Sequence, residues 1–337
     1  MNSVTPFAKP LAKPTSPRFA VVLGSGGVRS IAALGMMDVL TREGLKPDLV
    51  VGCSAGALFG ALICAGHSAD EAVRIATTLW SAEVTKEHRW RAIPQMLWPR
   101  LGRFDSDFSL RNDRLIMQRL DQAFGKAQLE EFATPLRVAT TDAATGASVV
   151  LRQGGVVEAL RASIAMPFMF APGHVDGQRL IDGFVSDPLP VSAASDASAV
   201  LALGFKSSMP KKIDGPARLL AQVTSALTNN LMQARLAQAS AEGMRLLCIE
   251  PQLDRRVGLF DTQAMRYLVE AGRQATQAML PEIASLLDRR PHLASASTRV
   301  NVQGAASAMS GSGASAPSPA VLHGLGHVRH LRRAGER

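Results

Sequence analysis

The sequence predicts an α/β fold, a parallel sheet covered by helices. Two observations carry this: apolar runs that stop at glycines, and helical stretches that follow each of them at once. Strand, turn and helix occur twice within residues 19–65, which is the pattern of parallel strands with crossover helices.

The first run, Phe19–Leu23 (FAVVL), is apolar at every position, as a strand buried on both faces would be. After a glycine-rich turn, Arg29–Glu43 places Ile31, Leu34, Met37 and Leu40 near helical spacing and ends at Gly44, a natural C′ residue. Asp48–Val51 is the second strand. Ala55–Ala65 is a helix apolar all round, hence buried. Further on, Asp113–Phe124 reads as an amphipathic helix, and Leu136–Thr141 with Ser148–Arg152 as a strand pair about Ala144-Thr145-Gly146. Gly155–Ile164 is helical up to Pro167, Ala199–Phe205 and Arg245–Ile249 are strands, and Asp261–Leu287 is one long helix, interrupted at Pro281. Residues 1–17 contain Pro and Lys and are expected to form a flexible leader. Ala, Ser and Gly dominate from Ser295 to Ala320, so the folded domain spans 18–290 and the low-complexity, basic tail 291–337 is expected to be disordered.

The 337 residues suffice for one large domain or two small ones, and 47% hydrophobic content allows a sizeable core. Part of the +9 net charge sits in the terminal VRHLRRAGER and in Lys9, Lys13 and Arg18. The folded middle is therefore nearer neutral, and nucleic-acid binding gains little support. The three cysteines have no metal-ligand spacing, and a reducing compartment, the cytoplasm, fits them better than a disulfide framework. No cofactor is called for. The N-terminus lacks a secretory h-region. Val50 to Gly66 is nearly charge-free but shorter than the ~20 residues a spanning helix needs, so no transmembrane segment is expected.

Gly52-Cys53-Ser54-Ala55-Gly56 is a G-x-S-x-G pentapeptide between an apolar strand and an apolar helix. That context suits a nucleophile elbow, a sharp turn with glycines on both sides and a helix N-terminus beside the Ser oxygen. A serine hydroxyl needs an adjacent base. Of the seven histidines, His67 follows the elbow helix directly, and His292, His323, His327 and His330 lie at the end of the folded region or in the tail. His88 and His174 remain as partners for a Ser-His-Asp triad, without a local signature.

The loop Leu23-Gly24-Ser25-Gly26-Gly27-Val28-Arg29-Ser30 exposes backbone N–H groups at a helix start. Arg29 stands where a dinucleotide fingerprint needs its third glycine, and no Gly-Lys-Ser/Thr follows, so an oxyanion hole is the best reading. Asp182-Gly183, within Leu180-Ile181-Asp182-Gly183-Phe184-Val185-Ser186-Asp187-Pro188, taken alone reads more readily as a hairpin turn than as a site.

Together these places resemble the patatin-like phospholipase family, including bacterial and neuropathy-target-esterase-like lysophospholipases. Ser25 to Ser30 are similar to its G-G-G-x-R/K-G loop, with Ser at both outer glycines. Gly52 to Gly56 match the elbow, and Asp182-Gly183-Phe184 resembles its D-G-G or D-G-A motif. Arg161-Ala162-Ser163-Ile164-Ala165-Met166-Pro167 resembles its A-S-x-A-x-P segment. The resemblance covers residues 18–290. It implies a three-layer α/β/α sandwich with a mainly parallel sheet and a histidine-free Ser54–Asp182 dyad that hydrolyses phospholipids, lysophospholipids or related acyl esters. Gly26, Gly27 and Val28 would hold the oxyanion, and Arg29 would steady the loop or a lipid phosphate. Phe184 would crowd the base. An acyltransferase of similar architecture is an alternative, although such enzymes carry His where Cys53 stands; a weakly active regulatory protein is another. Trp90 and Trp98 interleave with Arg89, Arg91, Arg100 and Arg103, which suits either peripheral contact with an anionic membrane or a helix packed on the core.

Overall fold

The computed structural model describes residues 17–288 except 82, 85–88, 90–91, 98–99, 101–103 and 211. Trp90, Trp98, His88, Arg91, Arg103, residues 1–16 and the tail from 289 lie outside the described residues, and with them the expected tail disorder. Pro17, assigned to the leader, accepts the Ser198 N–H at 3.0 Å.

The described elements, in chain order, begin with β1 (Phe19–Leu23), a 3-10 turn at Gly27–Ile31, α1 (Ala32–Arg42), β2 (Leu49–Cys53), α2 (Ala55–Cys64), α3 (Ala69–Leu79) and α4 (Ala92–Leu97). Then come α5 (Arg114–Phe124), β3 (Leu136–Asp142), β4 (Ser148–Leu151), α6 (Val156–Ser163), β5 (Gly173–Val175) and β6 (Gln178–Asp182). The chain continues through β7 (Ala199–Leu203), α7 (Pro216–Ala241), β8 (Leu246–Ile249), α8 (Met265–Ala278) and α9 (Leu280–Asp288).

Hydrogen-bonded neighbours run β5-β6-β3-β2-β1-β7-β8, with β4 also on β3. The pairs β8–β7, β7–β1, β1–β2 and β2–β3 are parallel; β3–β4, β3–β6 and β5–β6 are antiparallel. The mainly parallel sheet is thus present, with an antiparallel margin.

Both faces of the parallel part are buried, which is why its strands read as unbroken apolar runs. Val21 and Leu23 of β1 join Val50, Val138, Leu201 and Ile249 in a large core with α1, α2, α6 and α8. The alternate residues Ala20 and Val22 join Val51 and Val200 in a second core. That core is closed by Leu189, Val191 and the Met232, Leu236 and Ala239 side chains of α7. Helices therefore lie on both faces of the sheet, the three-layer α/β/α arrangement.

Two expected helices divide. The stretch from Arg29 begins as the 3-10 turn before α1. Asp261–Leu287 becomes α8 and α9, broken at Met279, with Pro281 inside the first turn of α9, where its missing N–H costs nothing. Among the described residues, no helix is long and apolar enough to cross a membrane.

Candidate active site

Ser54 sits where β2 ends and α2 begins, at φ 56 and ψ −129, a backbone conformation L residues rarely adopt. The flanking glycines make that turn passable. A Cβ on Gly52 would lie 2.4 Å from Ala57 Cα, and one on Gly56 would lie 2.5 Å from the Leu23 carbonyl oxygen. The Ser54 N–H donates to Ser163 Oγ at 2.8 Å, and Ser163 Oγ donates to the Ala139 carbonyl at 2.7 Å. The buried Ser163, at the end of α6, thus ties the elbow to β3.

Asp182 arrives from the opposite direction. Thr140 pairs with both Asp182 and Val149, while Ala139 pairs with both Cys53 and Val150. Since β4 occupies one edge of β3 at both residues, β2 and β6 must share the other edge. They run towards each other and end on the neighbouring residues Ala139 and Thr140. Ser54 and Asp182 meet at that junction, and the Ser54 hydroxyl donates to Asp182 Oδ2 at 2.6 Å. The hairpin reading of Asp182-Gly183 fails for a plain reason: the β5–β6 hairpin turns at Asp176-Gly177, and Asp182 closes its second strand. Gly183 passes so close to β3 that a Cβ would lie 2.5 Å from the Ala139 oxygen.

The Asp182 side chain is fully buried, and burial pushes its pKa up to about 7 despite hydrogen bonds from the Ser54 hydroxyl and the Phe184 N–H. Phe184 serves Asp182 through its backbone, donating to Oδ1 at 3.0 Å. The Thr141 hydroxyl donates to the Asp182 carbonyl at 3.0 Å and steadies the strand end. Below it, buried Asp187 lies 3.6 Å from Arg235 Nε, and burial raises its carboxyl to about 6 against the pull of Arg235. Burial, with Asp182 and Asp187 nearby, holds the Cys53 thiol protonated, well above its ordinary pKa.

The loop after β1 supplies donors. Gly27 has φ +57, and a Cβ there would lie 2.5 Å from the Leu259 oxygen, so only glycine fits. Val28 N–H is engaged: it donates to the Leu259 carbonyl at 2.9 Å. Among the described residues, the N–H groups of Gly26, Gly27 and Ala55, the first residue of α2, have no hydrogen-bond acceptor. Arg29 is a brace. Its buried guanidinium donates to the Gly26 carbonyl at 3.1 Å and the Lys206 carbonyl at 2.9 Å, with the Phe205 ring 6.0 Å away. Ser30 Oγ donates to the Gly24 carbonyl at 3.0 Å and closes the same loop.

The histidines stand apart. His67 lies 3.3 Å from Glu71 at the far end of α2, and exposed His174 pairs with Arg179 in the hairpin. Among the described residues, no imidazole touches Ser54 or Asp182. The sequence carries no signal for these roles of Ser163, Ala55 and Leu259; the A-S-x-A-x-P segment holds Ser163 but does not disclose that it bonds the elbow.

A family model described as patatin-like phospholipase matches residues 21–195, more than half of the chain. An uncharacterized NTE family protein of Mycobacterium tuberculosis is 31% identical over 234 residues, covering 69% of this chain and 61% of that protein. Patatin-like phospholipase domain-containing protein 7 of Rattus norvegicus is 27% identical over 194 residues, 57% of this chain and 14% of that protein. The crystal structure of VipD from Legionella pneumophila aligns with a TM-score of 0.45 and 15% identity, over 80% of this chain and 67% of that one. The chain thus spans less than two thirds of the length of these curated relatives. With residues 21–195 matched to its model, the chain belongs to the patatin-like phospholipase family.

Proposed function

We propose that the chain is a serine acyl hydrolase acting on phospholipids, lysophospholipids or related acyl esters through a Ser54–Asp182 dyad. The observation that supports it most is the 2.6 Å hydrogen bond from the Ser54 hydroxyl to a fully buried carboxylate beside a glycine loop with open N–H groups.

Ser54 Oγ adds to the ester carbonyl carbon while its proton passes to Asp182 Oδ2. The carbonyl oxygen becomes an oxyanion held by the N–H groups of Gly26, Gly27 and Ala55, at the positive end of α2. Collapse breaks the ester C–O bond, and the leaving alcohol takes the proton from Asp182. Water then attacks the acyl-enzyme, giving its proton to Asp182; on collapse Ser54 recovers the proton and the fatty acid departs. A carboxylate is an unusually weak base for this work, and raising its pKa to about 7 brings it into the useful range.

Hydrolysis of a short p-nitrophenyl ester and of a phospholipid panel by the wild type, Ser54→Ala and Asp182→Asn tests the reading. Both variants should lose at least about a thousandfold in kcat, and the wild-type rate should climb with pH to a plateau above about 7. An inert wild type, or a variant as fast as it, sinks the proposal.

A further inference from the structure

α7 is covered by apolar residues on two sides. Counting about 100° per residue along the helix, Met232, Leu236 and Ala239 form the side buried against the sheet. Leu219, Leu220, Val223 and Leu227 fall within one arc on the opposite side, and all are exposed, Leu220 by 61% and Leu227 by 64%. The outward stripe therefore does not continue the core-facing side. From Pro216 to Ala241 the helix has no acidic residue, and its charges are Arg218 and Arg235.

The middle of α7, just past the stripe, is tied to the loop beside Ser54 through Asn229. Ser207 and Asn229 exchange two hydrogen bonds, 2.7 and 2.9 Å, and the neighbouring Lys206 carbonyl is the one that holds Arg29. Two further exposed apolar side chains rim the same site. Leu259 accepts from the oxyanion loop through its carbonyl. Phe168, 63% exposed, projects from the loop whose Ala165 carbonyl accepts the Asp182 N–H. Phe168 is held at φ 67, a costly conformation for a bulky residue. Cations lie on and around the segment that leads into α7: Arg218 donates to the Lys212 carbonyl at 3.4 Å and pairs with Asp214 at 3.0 Å, and Arg256 donates to the Met209 carbonyl at 3.3 Å.

We infer that the outward face of α7, with Phe168 and Leu259, is a docking surface for an anionic lipid bilayer. It seats the mouth of the site on the membrane that holds the substrate. The inference rests on the lipid-ester reading above. Large apolar side chains exposed on one face of a helix that carries no acid between Pro216 and Ala241, with cations nearby, are what an interfacial helix requires. Leu219, Leu220, Val223 and Leu227 would enter the acyl boundary, with Lys212 and Arg256 at the headgroups.

The test is cosedimentation of the full chain with ether-linked phosphatidylglycerol–phosphatidylcholine vesicles, which an ester hydrolase cannot cleave. The comparison is the combined Leu219→Gln, Leu220→Gln, Val223→Gln and Leu227→Gln variant. The variant should bind at least about tenfold more weakly, yet hydrolyse a water-dissolved short-chain ester at the wild-type rate, which also shows that it folds. Pure phosphatidylcholine vesicles should bind the wild type less well than the anionic ones. Three results overturn the inference: variant binding within about twofold of wild type, a wild type that ignores vesicles, or light scattering that finds a lipid-free dimer in wild type and a monomer in the variant. The last would mean that a second copy covers the stripe. Because ether lipids are bound without turnover, a failure of the hydrolase reading appears only in the ester assay and leaves the vesicle result legible.

Discussion

Replacing Asp182 with Asn removes a carboxylate that the fold is poorly suited to hold ionised. Its pKa stands at about 7 in the folded chain against an ordinary value of 3.8, a rise caused first by burial and only partly countered by Ser54 and the Phe184 N–H. The sign follows from proton binding. Between pH 3.8 and about 7 the folded state keeps a proton that the unfolded chain has released, so stability is lost as pH climbs through this window. Three units at about 1.4 kcal/mol each make that loss about 4 kcal/mol. The Asn variant does not titrate. It pays a constant cost for a buried amide N–H without an acceptor, about 1–3 kcal/mol, but that cost is the same at every pH. The stability of Asp182→Asn minus that of wild type should therefore grow by about 4 kcal/mol from pH 4 to pH 8.5. Urea unfolding followed by circular dichroism at both pH values measures it, with the m-values checked for equality. A difference that stays flat within about 1 kcal/mol would refute the claim that desolvation governs this carboxyl.

Ser163→Ala should cost about 1–3 kcal/mol, because the Ser54 N–H and the Ala139 carbonyl both lose their partner in a buried place. It should also slow kcat more than it raises KM, while Ser163→Thr restores part of the rate; an unchanged kcat would mean the bond does not position the elbow. Gly27→Ala forces a Cβ into the Leu259 carbonyl at positive φ and should remove about 1–3 kcal/mol together with most ester hydrolysis. Thermal melting and a steady-state assay read the two effects, and a fully active Gly27→Ala would show that the loop geometry is not needed.

Local features were legible where one stretch of chain decides them. β1, β2, β7 and β8 are apolar throughout because both of their faces are covered, and Gly52 to Gly56 show a close turn in any context. Asp182 was legible only by resemblance. Its role comes from strand pairing with Thr140, and nothing in Asp182-Gly183 distinguishes that from a turn. α3 is not among the elements expected above, although Ser68 caps it by accepting the Glu71 N–H, with Asp70 and Glu71 in its first turn. The 26-residue α7 is hidden in the sequence for a different reason: apolar residues on two opposite sides cancel the periodic signal that marks an amphipathic helix. The Val28 assignment shows the same limit, since the Leu259 carbonyl that takes its N–H comes from more than two hundred residues away.

The meeting of β2 and β6 along one edge of β3 makes that strand a ruler. The gap between Ser54 and Asp182 is set by two consecutive rungs, Ala139 and Thr140, and not by the 128 residues of chain that separate the pair. Surface loops inside that span are thus free to lengthen, shorten or be exchanged between relatives, reshaping what approaches the serine while the reacting atoms keep their places. A slip of β6 by a single residue has the opposite effect, since it would carry the carboxylate about 3.3 Å along β3 and turn it to the other side of the sheet.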